Sequence, residues 1–210
     1  RYADHLLKTA YRTAVRRRET VHYVTFNMVR EYQRQQQFKF QLFVLQNARR
    51  FNQSPSLIYA VMEAESSFNP YAMSHVPAYG LMQIVPTTAG RDVHQFLYGR
   101  PGTPSREYLF VPENNIRMGT AYLHILDSRY LSGVENPASR EYCVIAAYNT
   151  GSGNVLNAFN RNDRSLALAQ INRKAPRDVY NHLVSNLPYR ETRDYLPKVV
   201  RLKDKYRNIG

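Results

Sequence analysis

Two carboxylates, Glu63 and Glu65, stand close together in a stretch marked as a helix: Ser54 is suited to the N-cap and Pro55 to the first helical position. At about 100° per residue, Leu57, Ile58, Val61 and Met62 form one apolar stripe. Glu65, eight positions after Leu57, falls near the middle of that stripe, and Glu63 falls nearly opposite, on the face expected to meet water. An acid in an apolar stripe is unusual, because burial penalises the charged form. The same penalty raises its pKa and suits it to act as a general acid. On this pattern alone a buried ion pair with an arginine is the commoner explanation, and catalysis is the alternative. Two carboxylates that point apart cannot flank one glycosidic bond in the usual way.

Other chemistries find little support. The chain has no Gly-x-x-x-x-Gly-Lys loop, no Gly-x-Gly-x-x-Gly after a strand and no Gly-x-Ser-x-Gly elbow. The six histidines lack His-Glu-x-x-His spacing and read as surface or cap residues, so neither a metal nor a cofactor is expected. The single cysteine, Cys143, lies among apolar neighbours and reads as a buried, inert thiol; alone it forms no internal disulfide. The 17 tyrosines, with no tryptophan, suit stacking on sugar faces, but also stacking on the bases of single-stranded nucleic acid.

The elements that must position these groups are almost all helical. Residues 1–18 read as a basic helix ending in Arg16, Arg17 and Arg18, and Val21 to Met28 as a strand. Val29 to Phe51 reads as a long helix packing through Tyr32, Phe40, Phe43 and Val44. The helix from Ser54 runs to about Ser67, and residues 71–112 read as loop-rich, punctuated by Pro77, Gly80, Pro86, Gly99, Pro101, Gly102 and Pro104. Helices follow over Asn115–Tyr130 and Arg140–Tyr148, with shorter ones near 154–159, 166–172 and 176–183 and a last one over 191–206. With 210 residues, 43% of them hydrophobic, the chain can bury a core unaided. The net charge of +13 is uneven, with +8 in residues 1–50 and +5 in the remainder. We therefore divide the chain into a basic arm, 1–50, read as the remnant of an accessory domain, and a main domain, 51–210. A basic arm suits contact with anionic membrane or wall polymers; a solvated helical face explains it equally well. The start at Arg1 reads as a fragment of a longer protein.

Five motifs then occur in order: Glu65-Ser66-Ser67-Phe68-Asn69-Pro70; Gly80-Leu81-Met82-Gln83; Asn115-Ile116 with Gly119, Tyr122 and Leu123; Ala147-Tyr148-Asn149-Thr150-Gly151; and Glu191-Thr192-Arg193 with Tyr195 and Val199. Together they resemble the lytic transglycosylases with a lysozyme-like (goose-type) catalytic domain, over residues 52–206. Ala89-Gly90-Arg91-Asp92-Val93, Gly102-Thr103-Pro104-Ser105-Arg106 and Tyr195-Leu196-Pro197-Lys198-Val199 are most similar to a membrane-bound branch of that family.

The resemblance implies a mainly α, lysozyme-like domain with a substrate groove, preceded by a helical and strand arm. It implies Glu65 as the catalytic acid, with Ser74, Met82, Gln83, Tyr122, Tyr148, Asn149, Glu191 and Tyr195 at the substrate. It further implies peptidoglycan glycan strands as substrate, cleavage without water to 1,6-anhydromuramoyl ends, and a bacterial periplasmic location with an outer-membrane anchor in the full-length protein. A hydrolase of the same bond, and a non-catalytic basic module binding wall or nucleic acid, are the competing readings. Glu65, Gln83, Tyr148 and Asn149 occurring together argue for catalysis, so no nucleic-acid partner is expected. Two departures from the family pattern are Pro77, where glycine or a polar residue is frequent, and Thr150, where alanine or glycine is.

Overall fold

A computed structural model describes residues 11–16, 19–24 and 30–208, in two compact units that divide between Gln36 and Gln37. In the first unit β1 (Tyr11–Arg16) and β2 (Glu19–Val24) form an antiparallel hairpin, with Tyr11 opposite Val24 and Arg16 opposite Glu19. The Tyr11 ring stacks on His22 and its hydroxyl bonds the His22 Nδ1. This corrects the expected basic helix: residues 11–16 are a strand, while 1–10, Arg17 and Arg18 lie outside the described residues. The expected strand is borne out over Val21–Val24, and residues 25–28 also lie outside.

The second unit is helical. From residue 37 onward, α1 (Arg30–Phe51) buries Phe40, Val44, Ala48 and Phe51, one stripe at helical spacing. The compact unit therefore begins fourteen residues before the boundary drawn at 51, because that stripe belongs to its core. Of the packing residues expected in this helix, Phe40 and Val44 are buried and Phe43 half-buried; the Tyr32 side chain lies outside the described residues.

The second helix, α2 (Pro55–Ser66), starts as its sequence requires, with the Ser54 hydroxyl accepting from the Leu57 N–H at 3.1 Å and Pro55 at the first position. Leu57 through Met62 are buried on every side, so α2 runs through the middle of the unit. It ends on two left-handed residues, Ser67 (φ 51°) and Phe68 (φ 65°), whose N–H groups return to the carbonyls of Glu63 and Met62.

The segment expected to be loop-rich contains more regular structure than its prolines and glycines suggest. A π-helical turn at Pro86–Gly90 leads into α3 (Arg91–Tyr98), and the five-residue α4 (Arg106–Phe110) follows. Then come α5 (Pro112–Ile125), continued by a π-helical turn over Leu126–Tyr130, and α6 (Pro137–Thr150). The short helices α7 (Ser152–Asn157), α8 (Arg164–Asn172) and α9 (Pro176–Asn186) precede the terminal α10 (Arg190–Lys205). Helix α10 packs along α2 and α6, burying Tyr195, Leu196, Val199 and Leu202. Among the described residues, no helix is long and apolar enough to cross a membrane.

Candidate active site

Glu65 occupies the last turn of α2, and the chain then folds back so that residues 69–85 form one wall beside it. That wall is held from beneath by Asn115, fully buried on α5. Its amide donates to the carbonyls of Tyr79 (2.8 Å) and Leu109 (2.7 Å), and its Oδ1 accepts from the Met82 N–H at 2.8 Å. Gly80 must be glycine here: its φ is 78°, and a Cβ would lie 2.3 Å from the Asn115 Nδ2. Ser66 adds a second tie, its hydroxyl donating to the Leu81 carbonyl at 2.8 Å. Gln83 sits in a left-handed conformation (φ 46°), a strain of roughly 1–3 kcal/mol. Its amide offsets this by donating to the carbonyls of Ala72 (3.0 Å) and Gly80 (2.9 Å).

The opposite wall comes from the end of α6 and the start of α10. The Tyr148 hydroxyl donates to the Met82 carbonyl at 2.9 Å, bracing the two walls against each other. The Thr192 hydroxyl donates to the Asn149 Oδ1 at 2.6 Å, so the Asn149 amide orientation is fixed from α10. Between the walls lies a cavity of about 420 Å3 lined by Glu65, Ser74, Gln83, Tyr148, Asn149 and Glu191. A second cavity, about 260 Å3, shares Gln83, Tyr148 and Asn149 and adds Thr88, Ala89 and Tyr122. With walls in common, the two read as one groove.

Burial pushes the Glu65 carboxyl up from 4.5 to about 7. The Tyr195 hydroxyl and the Lys198 ammonium pull it down, and the charge of Glu191 raises it further. Tyr195 is itself buried, its hydroxyl facing Glu65 without closing a hydrogen bond of full geometry; such contacts commonly tighten only when substrate arrives. The arrangement therefore presents one carboxyl, close to half-protonated near neutrality, to a polar groove.

Of the residues expected at the site, Glu65, Ser74, Gln83, Tyr148, Asn149 and Glu191 meet in the larger cavity and Tyr122 lines the smaller. Met82 does not line the groove: it is fully buried against Gly119, where an added Cβ would meet its sulfur at 2.3 Å, and it acts through its backbone. Tyr195 stands behind Glu65 and lines neither cavity. Glu63 is not a solvated surface residue, because α10 covers that face of α2. Its carboxylate accepts from Lys205 (2.8 Å and 3.0 Å) and from the Tyr206 hydroxyl. Thr150, one of the two departures from the family pattern, lines both cavities and accepts from Asn154 at 3.0 Å.

Sequence reasoning missed Asn154, Tyr189, Thr192 and Lys198. Lys198 and Tyr195 lie one turn apart on α10, and that spacing was the available signal. Cys143 is buried as expected, its thiol pushed up to about 12. Among the described residues, no three His, Cys, Asp or Glu side chains are grouped to hold a metal ion.

Comparison with known proteins adds four findings. The family model described as the transglycosylase SLT domain matches residues 43–171. The membrane-bound lytic murein transglycosylase C of Salmonella paratyphi B is 47% identical over 98% of this chain; the match covers 57% of that protein, so the chain spans little more than half its length. An inactive variant of the lytic transglycosylase Slt of Pseudomonas aeruginosa superimposes with a TM-score of 0.58 at 29% identity, over 79% of this chain and 23% of that one. The 70-kDa soluble lytic transglycosylase in complex with bulgecin A gives a TM-score of 0.60 at 28% identity, over 80% and 24%.

Proposed function

The chain belongs to the transglycosylase SLT domain family, and from that premise we propose that it cleaves the β-1,4 bond between N-acetylmuramic acid and N-acetylglucosamine in peptidoglycan without consuming water. The observation that carries this is the single raised carboxyl, Glu65, opening on a groove lined by amides and hydroxyls.

Glu65 donates its proton to the glycosidic oxygen as the bond from the muramoyl anomeric carbon breaks, and the leaving sugar departs with a hydroxyl. The substrate's own N-acetyl group stabilises the positive charge left on the anomeric carbon. The ionised Glu65 then takes the proton of the muramoyl C6 hydroxyl as that oxygen bonds the anomeric carbon. The product is a 1,6-anhydro end, and Glu65 returns to its starting state: one residue serves as acid and then as base. A value near 7 fits both halves of the task. Ser74, Gln83, Tyr122, Tyr148 and Asn149 orient sugar in this reading, Glu191 borders the reacting centre, and Tyr195 tunes Glu65 from behind.

One observation favours a second reading. Glu191 shares the cavity with Glu65, which gives a hydrolase the second carboxylate it would need to activate water. Muropeptide mass spectrometry on purified sacculi separates the two. Anhydro-muramoyl ends that disappear in Glu65→Gln support the transglycosylase, whereas reducing muramoyl ends lost in both Glu65→Gln and Glu191→Gln would establish the hydrolase. The membrane-bound name of the relative supports a membrane-anchored full-length protein, and a peptidoglycan substrate would place it in the periplasm, at the outer membrane in this reading. The excess charge of residues 1–50 supports contact with anionic lipid or wall polymer.

A further inference from the structure

A third cavity, about 310 Å3, shares no lining residue with the groove; His94, Tyr98, Arg100, Ser105, Tyr108 and Met118 surround it. Its back wall is polar in an unusual way. Arg117, half-buried on α5, donates to the hydroxyls of both Tyr98 and Tyr108, the latter at 2.9 Å. The two hydroxyls are 3.3 Å apart. No ion pair among the described residues includes Arg117, and its Nε is buried without a partner. The nearby Glu107 is held by the Ser105 hydroxyl and by Arg106. Arg117 stands behind the two phenols rather than in the cavity lining, so its charge reaches an anion in the cavity through their hydroxyls.

The hydroxyls are set to receive such an anion. Each phenol oxygen accepts from Arg117, so its own hydrogen is free to donate, and at most one of the two is used between the rings. Burial and the neighbouring Tyr98 hydroxyl hold the Tyr108 phenol above its ordinary value, against the pull of Arg117, so it keeps its proton. The Ser105 hydroxyl accepts from the Tyr108 N–H and donates to Glu107, so the two phenols are the donors left for a ligand. Arg100 adds an exposed positive charge at the rim. The apolar side is built just as firmly: the His94 ring stands against Gly102, where any Cβ would lie 2.3 Å from it, and bonds the Arg100 carbonyl at 3.0 Å. Small size, an apolar floor at Met118 and converging donors suit a short peptide ending in a carboxylate better than a sugar ring or a phosphate diester.

The cavity also lies beside the groove. Ala89 lines the groove while the adjoining Gly90 packs against Pro104 of the cavity wall, and on α5 Tyr122 faces the groove one turn beyond Met118. We propose that this cavity is a second ligand site, which takes the free carboxylate of a peptide carried by the glycan strand bound in the groove. The carboxylate chemistry stands on the cavity alone; its assignment to a strand-borne peptide rests on the function proposed above.

Two measurements on the full chain test it. Calorimetric titration with N-acetyl-D-alanyl-D-alanine and with its C-terminal amide should show millimolar binding of the acid, weaker by about ten-fold or more for the amide and for the Tyr98→Phe/Tyr108→Phe double variant, the effect of losing charge-assisted hydrogen bonds. That variant keeps both rings, and an unchanged Tm verifies its fold. No binding of the acid, equal binding of acid and amide, or binding indifferent to the double variant overturns the site. In the second measurement the double variant should digest intact sacculi more slowly while digesting peptide-free glycan strands at the wild-type rate. Equal slowing on both overturns the link to the strand-borne peptide. Carboxylate binding by a wild-type chain that releases nothing from either substrate would sink the proposed function and leave the site standing.

Discussion

Glu65→Gln should make the protein more stable at alkaline pH while abolishing turnover. The folded carboxyl titrates near 7 and the unfolded one near 4.5. Below 4.5 the acid is protonated in both states. Between the two values the unfolded chain has released its proton and the folded chain has kept it. As pH rises through 7, the folded protein must hold a charged carboxylate in a desolvated place, and stability present at low pH is lost. The difference between the two values corresponds to about 3 kcal/mol. That is an upper figure, because the carboxyl opens on a groove that admits solvent. Glutamine is neutral throughout and escapes the penalty. For a unit of this size each 1 kcal/mol moves Tm by roughly 2–4 °C, so the variant should exceed wild type by several degrees at pH 8, with the gap closing towards pH 4.5. Paired thermal unfolding across that range, read by circular dichroism, measures it. A difference that is flat with pH, or a variant less stable at pH 8, would refute a raised carboxyl at this position. Wild-type kcat/KM should fall over the same alkaline range, since only the protonated acid starts the reaction.

Three further outcomes follow from the same geometry. Tyr195→Phe removes a hydroxyl that pulls Glu65 down, so the alkaline limb of the pH–rate profile should move to higher pH; an unmoved limb would separate Tyr195 from the acid. Asn115→Ala leaves the Met82 N–H and the Leu109 carbonyl without this partner, while the Tyr79 carbonyl keeps only the Ile84 N–H. It should cost on the order of 3 kcal/mol or more in urea unfolding, and a loss under about 1 kcal/mol would mean that other contacts hold the wall. Glu63→Gln weakens the contacts to Lys205 and Tyr206 at a cost of roughly 1 kcal/mol. Its product profile should match wild type, and a collapse of turnover as deep as that of Glu65→Gln would make Glu63 part of the chemistry.

The helices with strong local signals were legible, and those whose identity depends on neighbours were not. Ser54-Pro55 announced α2 because cap and first turn are local chemistry. Helices α3 and α4 were hidden by the glycines and prolines around them, although Val93 and Leu109 are buried as core residues. Tyr11 to Arg16 looked helical by its basic run, but it pairs as a strand with Glu19 to Val24, a partner that no local pattern reveals. At the site, helical phase correctly separated Glu63 from Glu65 and misjudged what lay opposite Glu63. The wheel of α2 carries no information about α10, which closes that face with Lys205 and Tyr206. Met82 was misplaced for a related reason: a motif identifies a residue without saying whether its side chain or its backbone is used, and here the carbonyl and N–H serve the site.

Burial raises the Glu65 carboxyl most, and the side chains that then adjust it lie on one stripe of one helix. Glu191, Tyr195 and Lys198 follow each other at helical spacing on α10, the first raising the acid and the other two lowering it. The same helix is tied to α2 by Lys198 donating to the Ala64 carbonyl at 2.7 Å, and further on by Lys205 and Tyr206 at Glu63. Seating α10 on α2 therefore fixes all three influences at once, and a shift of α10 would change them together rather than singly. A chain relying on one carboxyl for both proton steps gains from such an arrangement. Beyond its burial, the acid is adjusted by Tyr195 and Lys198 from behind and by Glu191 within the cavity, groups whose distance from it depends on how α10 is seated. Glu63 then has a use consistent with its place: it is the far anchor of the contact that keeps Tyr195 and Lys198 against Glu65.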